Sequence, residues 1–271
     1  MLANRHYMLD AYGCFTEQAN SIMVVNDLLV QLSNDLGMKP VMPPFLVPFY
    51  YCQDPDDVGI SAFCIGSNGS HITIHTFPYR SCYFVDILTD QFFSESDVTS
   101  AIQTKIYAST INASVVDRRV FEGISGDIDT YSDFGPHYMI TIEDVDVSFE
   151  EIYTWLDSIA PRINMQAICR PYVIFDKVNS PEYISGVLVV AQSHIAFHYS
   201  IKERRANIDI FSCSFLENGA IEDLIEDSFG EQTQLNLFAR GSKHRIRCEI
   251  SSRQTRIKRD EAWRNNALGI D

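Results

Sequence analysis

Ser70-His71-Ile72-Thr73-Ile74-His75 returns 123 residues later as Ser193-His194-Ile195-Ala196-Phe197-His198, and the offset holds without a gap to Asp86-Ile87 and Asp209-Ile210. His6-Tyr7-Met8 likewise returns as His137-Tyr138-Met139. Self-similarity of this kind marks a tandem duplication. In the first copy Ile72 and Ile74 alternate with His71, Thr73 and His75, the period of a strand with one apolar and one polar face. The isoleucines are expected to face helices, and the polar faces of the two copies to meet.

Each half reads in one order. A strand (7–12; 138–142) precedes a helix, expected over 16–36 in the first half with Gly37 as its stop. In the second half Ser148 and Glu151 form a capping box that opens a helix at 150, and Pro161 is expected to close it. Strands follow at 45–51 and 172–176, at 60–66 and 184–191, at 71–76 and 194–199, and at 83–89 and 206–213. A second helix (95–106; 220–229) and a last strand (109–116; 234–239) complete each unit. Two such units predict an α+β fold, a four-layer αββα sandwich of two pseudo-symmetric repeats. The expected boundaries are 1–125, 126–240 and a basic extension over 241–271.

Of the 271 residues, 46% are hydrophobic, enough to bury a sizeable core. The net charge of −15 argues against a nucleic-acid partner for the body of the protein. From Arg240 onward nine Lys/Arg face four Asp/Glu, which reads as a solvated basic tail on an acidic body. Seven cysteines without CxxC spacing read as reduced thiols. Residues 1–13 have no secretory pattern, and the longest uncharged apolar run, 41–52, holds Pro43, Pro44 and Pro48, so no membrane helix is expected and the setting is cytoplasmic.

A single Ser-His pair on a strand is ordinarily a satisfied polar side chain. Histidines at i and i+4 of a strand share a face and suit zinc, but Asp86 and Asp209 are the only carboxylates at a plausible spacing, so no metal is expected. A Ser/His/Asp hydrolase lacks its nucleophile elbow here. Preservation of the constellation in both copies, with Cys213 twenty residues after Ser193, points to chemistry.

Gly69-Ser-His-Ile-Thr-Ile-His-Thr-Phe-Pro78 resembles the Glu-Ser-His-hydrophobic-Thr-Ile-His-Thr-Trp-Pro motif of bacterial S-adenosylmethionine decarboxylases. Asp86-Ile-Leu-Thr-Asp90 and Asp209-Ile-Phe-Ser-Cys213 resemble that family's Asp-hydrophobic-Phe-Thr-Cys. Asn4-Arg5-His6 is similar to its Gly-Arg-His, and Tyr183-Ile-Ser185-Gly186 to a Val-Ser-Gly segment before its reactive serine. The resemblance covers about residues 1–117 and 137–240. It implies a cofactor made from the chain: a serine attacks the preceding carbonyl, the chain is cut, and a pyruvoyl group remains. That ketone forms a Schiff base with a substrate amine and serves as an electron sink for loss of CO₂. A cysteine reprotonates the substrate carbon, while a histidine and a serine of the partner unit assist cleavage.

Carried onto this chain, the resemblance implies two sites. One has Ser193 as precursor, Gln192 before the cut, Cys213 as proton donor, and His75 and Ser61 as partners. The other has Ser70 as precursor, Gly69 before the cut, Asp90 in place of the cysteine, and Ser185 and His198 as partners. Cys213 and Gln192 make Ser193 the first choice for the cut; Gly69, with no Cβ in a strained turn, counts for Ser70. Ser61 lies nine residues before Ser70 whereas Ser185 lies eight before Ser193, so a bulge or a longer turn is expected at 67–69. The family's ribose-contacting acid is replaced by Tyr79 and Lys202, with Glu203 expected on the opposite face of a strand. Phe45, Phe49 and Tyr50 are candidate platforms for an adenine. The remaining cysteines are expected to act as small buried hydrophobes.

The implied activity is S-adenosylmethionine decarboxylation for polyamine synthesis, by a pseudo-dimer within one chain that leaves room for a further homodimer. A related ornithine or arginine decarboxylase and a catalytically dead regulatory paralogue are the alternatives.

Overall fold

The inward and outward alternation of the strands decides the architecture. In the computed structural model, residues 1–49, 57–119, 135–177, 181–191, 193–212, 216, 219–230 and 233–240 are described. The first repeat contributes strands β1 (Arg5–Tyr12), β2 (Phe45–Phe49), β3 (Gly59–Gly66), β4 (Ser70–Phe77), β5 (Cys82–Thr89) and β6 (Thr110–Asp117). The second contributes β7 (Gly135–Ile142), β8 (Tyr172–Phe175), β9 (Tyr183–Val190), β10 (Ser193–Ser200), β11 (Arg205–Phe211) and β12 (Thr233–Arg240). Helices α1 (Thr16–Ala19), α2 (Ile22–Asp35) and α3 (Glu95–Lys105) belong to the first repeat, α4 (Phe149–Arg162) and α5 (Ala220–Phe229) to the second.

Each repeat forms one antiparallel six-stranded sheet. The orders β2-β3-β4-β5-β1-β6 and β8-β9-β10-β11-β7-β12 match strand for strand. On β4, Ile72 and Ile74 join the helix-facing core with Val85, Ile87, Leu28 and Leu32. On β10, Ile195, Phe197 and Tyr199 do the same with Leu156 and Ile159. The opposite faces turn toward each other, as β4–β10 contacts such as His71 to His198 show. The result is the expected αββα sandwich, with two apolar cores between sheets and helices and a central layer between the sheets.

That central layer is mixed. Apolar patches at its periphery pair the two repeats: Phe63 and Ile65 with Val187 and Val189, Phe84 with Phe211, and Met8 with Met139. Inside this ring lie the polar residues of the repeated motifs. Among the described residues, no helix is long and apolar enough to cross a membrane.

Two expectations about helices are corrected. The span 16–36 is broken into α1 and α2 because the Ser21 side chain accepts a hydrogen bond from Val24 N and starts a new helix there. Pro161 does not close α4, which runs through it to Arg162. A proline in the last turn forfeits one hydrogen bond and leaves the turns before it intact.

Each repeat buries one sheet face only against the other repeat. Residues 1–125 expressed alone are therefore expected to aggregate or to dimerise through the exposed polar face, as read by light scattering; a well-behaved monomer would contradict this.

Candidate active site

Register brings the functional side chains together before any tertiary contact. Ser61 on β3 sits opposite His75 on β4, and Ser185 on β9 opposite His198 on β10. Ser61 Oγ lies 2.8 Å from His75 Nδ1, and Ser185 Oγ lies 2.8 Å from His198 Nδ1. Each histidine then crosses to the other sheet. His75 Nε2 is 2.8 Å from His194 Nδ1, and His198 Nε2 is 2.7 Å from His71 Nδ1. The two imidazole pairs stack at 13° and 11° between planes.

Two chains of hydrogen bonds result, Ser61–His75–His194 and Ser185–His198–His71. Each starts in one repeat and ends on the residue next to the candidate serine of the other, Ser193 or Ser70. All of these side chains are buried. Burial pulls His71 down to about 4 and His75 down to about 3. It also holds His194 and His198 well below the ordinary histidine value, so all four are neutral at pH 7.

The two serines sit in unlike turns. Gly66 pairs with Ser70, leaving a three-residue turn at Ser67–Gly69, whereas Val190 pairs with Ser193 across residues 191 and 192. The one-residue difference in serine spacing is therefore absorbed in the turn. Asn68 and Gly69 adopt left-handed conformations, with φ of 59° and 68°. A Cβ at Gly69 would lie 2.5 Å from Leu2 Cδ1 and 3.1 Å from His198 Cβ, so glycine is required on both counts. Ser70 Oγ is buried and has no hydrogen-bond partner. Asp90 accepts a 2.7 Å bond from the Asn68 side chain, which ties it to this turn.

Glu203 is not on a strand. Residues 201–204 form the turn between β10 and β11, and Glu203 Oε1 accepts the Leu2 N–H of the first repeat at 3.0 Å. The carboxylate thus reaches the Leu2 segment that packs on Gly69. Lys202 is exposed in the same turn, and Tyr79 lies in the short helical turn Pro78–Arg80. Phe45 packs on Phe63 at 5.3 Å between ring centres, away from either relay. Gln192, Cys213 and Tyr50 lie outside the described residues, as do 241–271, and the Phe49 side chain is not among those described.

The largest departure from expectation is Arg240. Counted with the basic tail, it is instead buried at the end of β12, bonded to Asp10 and Asp86 of the first repeat at 2.6 Å each. Its counterpart Arg118, just after β6, places Nη1 2.8 Å from both carboxylate oxygens of Asp209 in the second repeat. Two arginines 122 residues apart, each closing a last strand, were a readable repeat. Burial alone would raise the carboxyls of Asp86 and Asp209. Arg240 and His137 outweigh it at Asp86, Arg118 and His6 at Asp209, and both stay well below the usual range.

His6 and His137 lie between the two carboxylates, 3.5 Å from Asp86 and 3.6 Å from Asp209. His6, His137 and Asp86 offer ligand atoms within 4.8 Å of one another. Arg240 Nη1 already sits on Asp86 Oδ1 and on His137 Nδ1, at 2.6 and 3.1 Å. A guanidinium thus occupies the cation position of that triad and opposes a divalent ion there.

The repeats, the hydrogen-bonded chains and the turns before Ser70 and Ser193 have counterparts to seek among known proteins. The family model for S-adenosylmethionine decarboxylase matches residues 5–119 and 139–241, that is, both repeats. The chain belongs to the S-adenosylmethionine decarboxylase family. Members of this family are carboxy-lyases. The chain is 28% identical over 119 residues to the S-adenosylmethionine decarboxylase proenzyme of Caldanaerobacter subterraneus, covering 44% of this chain and 90% of that one. It is 33% identical over 55 residues to the proenzyme of a Geobacillus strain, where it spans 44% of that relative's length and 20% of its own. A crystal structure of the adenosylmethionine decarboxylase from Aquifex aeolicus superposes with a TM-score of 0.37 at 20% identity, over 46% of this chain and 98% of that one, too loosely to bear on the site.

Two outcomes follow from the buried charges. Arg118→Met leaves Asp209 unpaired in the interior and is expected to cost roughly 3–5 kcal/mol in urea unfolding, with Arg118→Met/Asp209→Leu recovering much of it. Unfolded imidazoles bind a proton near pH 6.5, and His71 and His75 when folded only near 4 and 3. The unfolded state therefore holds more protons between those values. Stability should fall as pH drops from 6.5 toward 4, by about 1.4 kcal/mol per pH unit for each such histidine. The carboxylates of Asp86 and Asp209 add to the loss below about pH 4, where their stabilising ionisation is titrated away. Unfolding free energies flat from pH 7 to 4.5 would contradict the assignment.

Proposed function

We propose that this chain is a self-processing, pyruvoyl-dependent decarboxylase whose substrate is S-adenosylmethionine, acting in polyamine synthesis. The observation that carries the reading is the pair of Ser–His–His chains, each ending beside the candidate serine of the opposite repeat. What supports chemistry is that each chain joins a buried serine and two neutral imidazoles beside a candidate serine.

Support is fullest at Ser70. Its hydroxyl has no hydrogen-bond partner, the bond before it leaves a left-handed glycine, and His198 packs on that glycine. Ser70 Oγ attacks the Gly69 carbonyl carbon; the C–N bond breaks as its nitrogen takes a proton, and an ester replaces the amide. Loss of the Cα proton of residue 70 then expels Gly69 as a carboxylate, leaving a dehydroalanine. Water displaces its nitrogen as ammonia and a ketone remains. Ser185 and His198, which share a 2.8 Å contact, are the groups this reading assigns to donate to the Gly69 carbonyl oxygen and to move these protons. The pyruvoyl group so formed supplies the electron sink for loss of CO₂. Asp90, tied to the same turn, is the group assigned to return a proton to the substrate carbon. At the other end Ser193, with Ser61, His75 and Cys213, would repeat the scheme.

S-adenosylmethionine needs an acceptor for its ribose diol, and neither Tyr79 nor Lys202 is a carboxylate. Glu203, one residue beyond Lys202, provides the missing charge at the Ser70 end. Glu203→Gln is expected to raise KM for S-adenosylmethionine by roughly 10- to 150-fold with a smaller change in kcat, the loss of one charged acceptor.

Intact mass under denaturing conditions tests the processing. A cut before Ser70 gives fragments of 69 and 202 residues, and one before Ser193 gives 192 and 79. Ser70→Ala should abolish the first pair, and His198→Ala should slow its appearance while leaving a Ser193 cut unaffected. A chain of full mass with no ketone that borohydride traps would overturn the proposal in favour of a dead paralogue. Release of ¹⁴CO₂ from carboxyl-labelled S-adenosylmethionine, ornithine and arginine, side by side, tests the substrate. Faster release from either amino acid would overturn S-adenosylmethionine.

A further inference from the structure

The two relays differ at their far ends. His194 Nε2 lies 3.5 Å from the Thr73 hydroxyl. The position equivalent to Thr73 in the second repeat is Ala196, which has no polar group, and His71 Nε2 is buried without a hydrogen-bond partner. This substitution breaks the pseudo-symmetry at the point where each relay terminates.

A neutral imidazole carries one N–H and one lone pair, so a chain of them has only two polarities. In the first, the serine donates and N–H groups point along the chain to its far Nε2. In the second, the far Nδ1–H donates inward, and the near Nδ1–H donates to the serine oxygen. A hydroxyl at the far end accepts or donates and so supports both. An apolar far end supports only the second, because the first aims a buried N–H at nothing. The charged groups facing His71 do not supply a partner. Asp209 has both oxygens on Arg118, and the field of Arg118 opposes that of Asp209 at His71.

We propose that Ala196 fixes the polarity of the Ser185–His198–His71 relay, whereas the Thr73 hydroxyl can satisfy the far end of the Ser61–His75–His194 relay in either polarity. Resting on the self-processing reading above, this makes His71 and Ala196 positioning residues for the Ser70 cut. With His71 Nδ1–H donating to His198 Nε2, and His198 Nδ1–H donating to Ser185 Oγ, the Ser185 proton is left free. The turn 67–69 packs on β9 and β10 of the opposite repeat, and the proposal assigns that proton to the Gly69 carbonyl oxygen of this turn. Ser185 then withdraws charge from the carbonyl that Ser70 attacks, and the two cleavage sites are chemically unequal from the start.

The test has two arms. The first uses the full-length chain carrying Ser70→Ala and Ser193→Ala, labelled with ¹⁵N-histidine, and reads which ring nitrogen of each histidine bears the proton. His71 is expected to be protonated on Nδ1, and adding Thr73→Val should drive His194 wholly to the same form, with Thr73→Ser restoring the parent spectrum. A proton on His71 Nε2, or a His194 signal indifferent to Thr73→Val, would overturn the proposal. This arm needs no cleavage, so it stands whether or not the chain processes itself. The second follows cleavage by intact mass. Ala196→Ser is expected to slow the Ser70 cut on the order of tenfold, with its His71 tautomer signal shifted, while leaving any Ser193 cut unchanged. An unchanged Ser70 rate with a shifted tautomer would overturn the link to processing. Absence of any cut in the native chain would instead overturn the self-processing reading alone.

Discussion

Everything in the centre of the molecule depends on two ion pairs that cross between the sheets in opposite directions. Arg118 leaves the last strand of the first repeat and ends on Asp209; Arg240 closes the last strand of the second and ends on Asp86 and Asp10. Burying such charges is costly, and the cost is offset only when both members are in place and their remaining hydrogen bonds are met. Arg118 meets them by also donating to the backbone carbonyls of Ile140 and Ile208. Neither repeat can satisfy its own aspartate. The pairs therefore act as a registry device that fixes one sheet over the other, and the histidine contacts of 2.7–2.8 Å follow from that registry.

The surrounding apolar patches make the electrostatics effective. Phe84 with Phe211, and Phe63 and Ile65 with Val187 and Val189, keep water from the polar centre. Imidazoles in such a place stay neutral, and neutral imidazoles can both accept and donate along a chain. A sandwich whose inner faces were apolar throughout would be more stable, and it would have no means of moving a proton between the repeats.

Much of this was legible in the residues. Strict alternation on the Ser-His strands set their faces, and two copies of one element order set the four layers. The missed features share a cause: each is decided by something other than periodicity. Ser21 starts a new helix by a side-chain hydrogen bond inside an otherwise continuous apolar pattern. Arg240 looked like tail because nine basic residues run from it onward, although its carboxylate partners sit more than 150 residues earlier in the chain. Glu203 was assigned to the wrong face because strand alternation was extended into a turn. The family resemblance also paired Ser61 with His75 and Ser185 with His198, but the histidine next to each candidate serine had no visible role until the sheets were stacked.

Joining two copies in one chain changes what substitution can do. When identical units form a symmetric dimer, every change appears at both sites. Here each end of the sandwich draws its serine turn from one repeat and its relay from the other, so a change in one copy alters the two ends in different ways. Thr73 and Ala196 differ in this manner, as do the numbers of residues between the paired strand ends before Ser70 and before Ser193. The longer turn carries two left-handed residues, Asn68 and Gly69, the second with no space for a Cβ, and the strain lies at the non-glycine position. Strain of that kind persists only where surrounding structure enforces it, and Leu2 of one repeat and His198 of the other press on the same glycine. Duplication followed by divergence has thus placed a steric and hydrogen-bonding asymmetry at one end of a nearly symmetric body.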